Sequence, residues 1–166
     1  MRVLTALLIM LPAFGNGVTP VIAQTNITDK TLVVWTAPAD LAQRGGSALT
    51  IDDMQSHFDG IIFGELAPGK WMAGSDFHRR SQRDQKSSKV ETVGPDTFVQ
   101  VAIVYEGKNV TVYYDGKKYA AHTIDAQQHF GPDSVVLFGK RHLGTTDTSC
   151  FRGRIDDARI YNKALT

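Results

Sequence analysis

The chain holds a single cysteine, Cys150, among 166 residues. No internal disulfide can form, so the fold has to be held by its core. It also lacks an excess of either charge, with 18 basic residues against 17 acidic. That balance removes the long-range field on which nucleic-acid or anionic-membrane binding relies, so neither partner is expected. After the first dozen residues no apolar run approaches the roughly 20 residues needed to cross a bilayer. Catalytic signatures are missing as well: there is no Gly-x-Ser-x-Gly elbow, no His-Glu-x-x-His helix and no phosphate-cradling glycine loop. The five histidines, His57, His78, His122, His129 and His142, have no ligand spacing, and one cysteine cannot supply a zinc site with sulfur.

What is present begins with an export signal. Arg2 precedes an apolar stretch from Val3 to Leu11, which Pro12, Gly15, Asn16 and Gly17 interrupt. Val21-Ile22-Ala23 then offers small residues to a signal peptidase, which predicts a signal peptide over 1–23 and cleavage before Gln24. Cleavage removes one basic residue, Arg2, and leaves 143 residues for a single domain, 24–166, secreted to the periplasm, cell surface or medium. At that length one core buries about two-thirds of the unfolded chain's surface.

The rest of the chain reads as all-β. Short apolar runs alternate with Gly, Pro, Asp and Asn, and almost none has the 3.6-residue period of a surface helix. Nine strands are predicted: Thr31 to Thr36, Ser47 to Ile51, Phe58 to Gly64, Lys70 to Gly74, Thr97 to Tyr105, Asn109 to Tyr114, Lys117 to His122, Ser134 to Gly139 and Arg152 to Tyr161. Asp115-Gly116 between two of them calls for a type I′ turn, because both central residues need positive φ. Ala39 to Gln43 reads as one helical turn. The stretch from Asp76 to Thr92 is polar and basic, a long exposed loop of a length that is unusual inside a compact domain.

Two blocks resemble the laminin-G-like, or concanavalin A-like, jelly rolls of bacterial exported proteins. One is Val101-Ala102-Ile103-Val104-Tyr105, a turn, then Val110-Thr111-Val112-Tyr113-Tyr114-Asp115-Gly116-Lys117, similar to the family's central meander. The other is the closing strand from Phe151 to Leu165, Phe-Arg-Gly-Arg-Ile-Asp-Asp-Ala-Arg-Ile-Tyr-Asn-Lys-Ala-Leu. The resemblance implies a two-sheet antiparallel β-sandwich with ligand loops along a rim and, in some members, calcium. By the closing block, Asp156 is the first candidate metal ligand and Asp157 the second. Members include glycan binders, protein binders and modules attached to glycosidases of invertase-like, levanase-like or sialidase-like type.

A glucanase of this fold would carry two carboxylates at even spacing on one strand, so that both face one way, and retaining chemistry wants them about 5 Å apart. The available pairs, Asp52-Asp53 and Asp156-Asp157, have odd spacing and should face opposite ways. Sugar binding instead needs an exposed aromatic face and groups that pair with hydroxyls. Trp71, between turn residues, is the candidate platform, with Phe77 and Arg44 beside it, while Trp35 in Leu32-Val33-Val34-Trp35 is expected in the core. Arg79, Arg80 and Arg83 could pair with the oxyanions of an acidic glycan. The sequence therefore points to a noncatalytic carbohydrate-binding or accessory module. Its rivals are a module of a secreted glycoside hydrolase whose catalytic domain lies elsewhere, and an adhesion module for a surface protein.

Overall fold

The computed structural model describes residues 26–143 and 150–165, so the predicted signal peptide and most of the loop from Leu143 to Ser149 lie outside the described residues. Nine strands form among them: β1 (Lys30–Pro38), β2 (Gly46–Asp52), β3 (Phe58–Phe63), β4 (Trp71–Ser75), β5 (Val99–Glu106), β6 (Asn109–Tyr114), β7 (Lys117–Thr123), β8 (Val135–Phe138) and β9 (Gly153–Tyr161). Each predicted strand is found, its ends moved by two residues or fewer. The expected helical turn at Ala39 to Gln43 is a hydrogen-bonded turn, closed by Gln43 N–H on the Asp40 carbonyl (3.3 Å).

Two antiparallel sheets stack, a five-stranded one in the order β7-β6-β5-β1-β9 and a four-stranded one in the order β4-β3-β2-β8. Strand parity decides which residues meet between them. Leu32 and Val34 of β1, Val101 and Ile103 of β5, Val110 and Val112 of β6, and Leu49, Ile61 and Phe63 of the smaller sheet share one buried core. The Asp-Gly turn is as expected, with φ of 46° at Asp115 and 72° at Gly116.

The basic stretch 76–92 is not a free excursion. It is a strap across the open side between β4 and β7, the edge strands of the two sheets. Arg80, Gln85, Ser88 and Glu91 are all buried along it. Glu91 accepts the Trp71 indole N–H (2.9 Å), the Tyr114 hydroxyl (3.0 Å) and the amides of Thr92 and Val93 (both 2.9 Å). Lys70 Nζ donates to the Gln85 carbonyl (2.6 Å), and the Tyr119 hydroxyl donates to the Lys89 carbonyl (2.5 Å). A buried polar group costs free energy unless paired, and Glu91 is paired on both sheets, with Trp71 of β4 and Tyr114 of β6.

Candidate functional site

Hairpin β2–β3 and the start of the strap leave the smaller sheet at the same end, since Asp52 opposes Phe58 and Asp59 opposes Ser75 on neighbouring strands. The hairpin tip, 53–57, is strained: Met54 has φ of 62° and Ser56 of 84°. Left-handed backbone at non-glycine residues costs on the order of 1–3 kcal/mol each and needs surrounding bonds to hold it. Those bonds come from the two adjacent aspartates. Asp52 Oδ1 accepts the Met54 amide (2.7 Å), and Asp53 Oδ1 accepts the amides of Gln55 (2.7 Å) and His57 (3.0 Å).

The second oxygen of each carboxylate goes to a histidine. Asp53 Oδ2 accepts His57 Nδ1 at 2.7 Å, and Asp52 Oδ2 accepts His142 Nδ1, also at 2.7 Å. The two carboxylates therefore face apart, and each fronts its own cleft. One, about 300 Å³, is lined by Asp52, Met54, Ser56, His142 and Leu143. The other, about 280 Å³, is lined by Asp53, Gln55, His57, Gln128, His129 and neighbours to Ser134. Burial pushes the Asp53 carboxyl up, but the amides of His57 and Gln55 and the His57 ring outweigh it and hold it below the usual range. Edge-on packing of His142 against Phe58 (4.6 Å between centroids) fixes the imidazole of the first cleft.

On the strap beside this tip, Phe77 and His78 are also left-handed, with φ of 49° and 57°. Phe77 is 79% exposed. Arg79 lies over its ring (5.6 Å to the centroid), and Arg83 donates to its carbonyl (3.3 Å). Below them sits a buried ionic network. Arg80 Nε donates to Asp59 Oδ1 (2.7 Å), and its Nη2 donates to Asp76 Oδ1 (2.5 Å) and the Phe58 carbonyl (3.0 Å). Lys30 Nζ reaches Asp59 Oδ2 at 3.0 Å from the opposite sheet. Burial lowers the Lys30 ammonium from its ordinary value, with Asp59 opposing that fall.

The sequence-predicted contact residues do not stay together. Trp71 is 1% exposed, packed between Phe63 and Phe151 with its N–H on Glu91, so it has no face left for a sugar. Arg80 is spent on Asp59 and Asp76, so it cannot pair with an outside anion. Arg44 stands at the far end of the sheet, donating to the carbonyls of Gly64 (2.5 Å) and Glu65 (2.8 Å). Phe77, Arg79 and Arg83 remain accessible and share one turn. Trp35, expected in the core, is instead half-buried on the outer face of the five-stranded sheet. Asp157 gives an oxygen to Arg159 (2.9 and 2.5 Å), and among the described residues no three His, Cys, Asp or Glu side chains gather as a metal-holding group. Sequence reasoning missed the two Asp–His pairs. The Asp52–His142 partners lie 90 positions apart, beyond any local spacing, whereas His57 four residues after Asp53 was visible.

Comparison with known proteins adds family and fold. A family model described as the concanavalin A-like lectin/glucanases superfamily matches residues 15–166. No curated protein matches the chain. Among solved structures, domain 4 of AbnA, an extracellular arabinanase from Geobacillus stearothermophilus solved in complex with arabinotriose, superposes with a TM-score of 0.62 at 18% identity. The alignment covers 88% of this chain and 65% of that one. A native heptameric SAP-like pentraxin from Limulus polyphemus gives 0.59 at 16% identity, over 86% of this chain and 68% of that one. The CBM40 of a Ruminococcus gnavus IT-sialidase gives 0.57 at 16% identity, over 84% and 79%.

Proposed function

Because the chain belongs to the concanavalin A-like lectin/glucanase superfamily, we propose that it is a noncatalytic carbohydrate-binding module that holds a glycan at the rim formed by the β2–β3 tip and the strap. The observation that carries this reading is the pair of clefts on either side of a tip whose strain is held by Asp52 and Asp53. In the second cleft the Asp53 carboxylate and the His57 imidazole are fixed against each other, which presents polar groups to sugar hydroxyls at little ordering cost. Met54 and Leu143, both about half exposed, give the first cleft an apolar wall for C–H faces. Phe77 adds a protruding aromatic ring, and Arg79 and Arg83 add planar donors that suit a carboxylate-bearing sugar. The solved relatives support the ligand class: the arabinanase domain was solved with arabinotriose, and the Ruminococcus gnavus module with α2,3-sialyllactose.

Retaining hydrolysis needs two converging carboxylates about 5 Å apart, whereas Asp52 and Asp53 diverge, each with its own histidine. A supporting role beside a glycosidase domain follows, because both relatives belong to glycosidases. No helix among the described residues is long and apolar enough to cross a membrane, and the extracellular arabinanase among the similar structures supports a secreted or surface location, in line with the expected signal peptide.

The test is a glycan array followed by affinity electrophoresis, comparing the mature chain with a Phe77→Ala/Arg83→Gln variant. We expect binding of at least one arabinose- or sialic acid-containing glycan, weakened tenfold or more in the variant while its circular dichroism is unchanged. Absence of binding to any glycan, or equal binding by both proteins, would refute the assignment.

A further inference from the structure

The outer face of the five-stranded sheet carries side chains that the rim site does not use. Leu32 and Val34 point into the core, so Val33 and Trp35 point out, and the same parity turns Gln100, Ala102, Tyr113, Arg159 and Tyr161 outward. Directly opposed positions form one row across all five strands: Lys118, Tyr113, Ala102, Val33 and Arg159. At about 4.8 Å per strand the row is about 19 Å long. Its middle holds only Ala102 and Val33, 8% and 7% exposed, low between Tyr113 on one side and Arg159 with the neighbouring Trp35 ring on the other, a shallow trough whose accessible surface is its aromatic edges.

Two guanidinium groups lie on aromatic rings beside this trough. Arg159 stacks on Trp35 (5.1 Å to the centroid) and Arg154 on exposed Phe98 (4.8 Å). A stacked guanidinium keeps its edge donors outward, the geometry that pairs with planar oxyanions. Arg159 spends Nε and Nη2 on Asp157. Arg154 forms no ion pair among the described residues, and Lys118 is exposed with none either. Arg154 and Lys118 are thus cations without an ion pair among the described residues, beside the paired Arg159 and Asp157, with exposed Asp156 next to that pair and exposed Glu106 at the far end of β5.

We infer that this outer face is a second binding surface, for a linear anionic polysaccharide whose rings cross the trough over Tyr113 and whose carboxylates or sulfates meet Arg154, Arg159 and Lys118. The inference rests on the glycan-binding reading for the class of its ligand but uses none of the rim residues. A flat trough with aromatic edges and spaced cations fits an extended chain of rings better than it fits a folded protein, which would need a deeper anchor pocket.

The experiment uses polygalacturonate and dextran sulfate as probes, neutral dextran and poly-glutamate as comparators, and both affinity electrophoresis and tryptophan fluorescence. Trp71 is shielded at 1% exposure, so a ligand-induced change in emission reports Trp35. Both acidic polysaccharides should retard the chain and perturb its emission, neutral dextran should do neither, and poly-glutamate should act far more weakly. Arg154→Gln/Arg159→Gln should weaken binding of the acidic polysaccharides tenfold or more, and Arg154→Gln alone by a smaller factor in a chain with one exposed side chain altered. Phe77→Ala/Arg83→Gln, which alters only the rim, should leave the emission response to the acidic polysaccharides intact. Retention that survives the arginine substitutions overturns the inference, as does poly-glutamate binding as tightly as the polysaccharides. Retention lost only in the Phe77 variant also overturns it, while supporting the rim. Failure of the rim assignment alone would leave the arginine dependence intact.

Discussion

Arg80→Met tests whether the strap is held by charge. Four ionised groups meet beneath it, Lys30, Arg80, Asp59 and Asp76, every side chain nearly inaccessible. The charges balance, and Arg80 is the group that joins the two carboxylates, with a further bond to the Phe58 carbonyl. Methionine keeps much of the volume but leaves Asp76 with only Arg79, 3.6 Å away and 62% exposed. Removing one partner of a buried ion pair costs about 3–5 kcal/mol, because the charge left behind has lost water and gained nothing. For a domain of this length about 4 °C accompanies each kcal/mol, which predicts a melting temperature lower by about 12–20 °C. Arg80→Lys, which keeps the charge but cannot span both acids, should fall between. Thermal melts by circular dichroism at pH 7 decide the matter. A Met variant that melts within 3 °C of the parent would show that the network does not hold the strap.

Two further outcomes follow from the rim and the sheet ends. Asp53 is held below its ordinary value in the folded chain, so its contribution to stability is present above about pH 4 and is lost as pH falls through the folded value. Urea midpoints of the parent and of Asp53→Asn should therefore differ at pH 7 and converge near pH 2, and a gap independent of pH would contradict the bonding at the tip. At Gly64, φ is 72° and a Cβ would lie 2.3 Å from the Gln43 carbonyl oxygen, which is backbone and cannot swing aside. Gly64→Ala adds left-handed strain of about 1 kcal/mol or more to that clash, so it should destabilise by at least 2 kcal/mol in urea titration; a loss under 0.5 kcal/mol would mean that the β3–β4 loop relaxes freely.

The nine strands were legible because short apolar runs with period two and Gly, Asn or Asp punctuation leave little alternative. The exchange of roles between the tryptophans has a definite cause. Leu32-Val33-Val34-Trp35 is apolar throughout, so alternation cannot say which parity faces the core, and only the partner strands settle that Leu32 and Val34 do. Trp71 follows Pro68-Gly69-Lys70 and resembles a loop residue by its neighbours, yet it opens β4 under the strap. Asp52 and Asp53 do turn to different clefts, but Asp53 lies past the end of β2, so the hairpin tip and not strand alternation turns it.

The strap shows why a run of charges is a poor guide to exposure. Asp76 to Thr92 carries the composition of a solvated loop, and the information that contradicts it lies elsewhere in the chain. Asp59 sits inside the apolar run Phe58–Phe63 and Lys30 opens β1, each a charge where the strand pattern leaves no water. A carboxylate in such a place needs a cation, and Lys30 alone leaves one of its oxygens unmatched. The basic stretch is the nearest supply, and Arg80 is the residue the turn at Phe77 and His78 delivers to it. Arg80 bonds Asp59 and Asp76 three residues from the strained Phe77, so a substitution at Arg80 should loosen the exposed ring proposed above to contact a glycan.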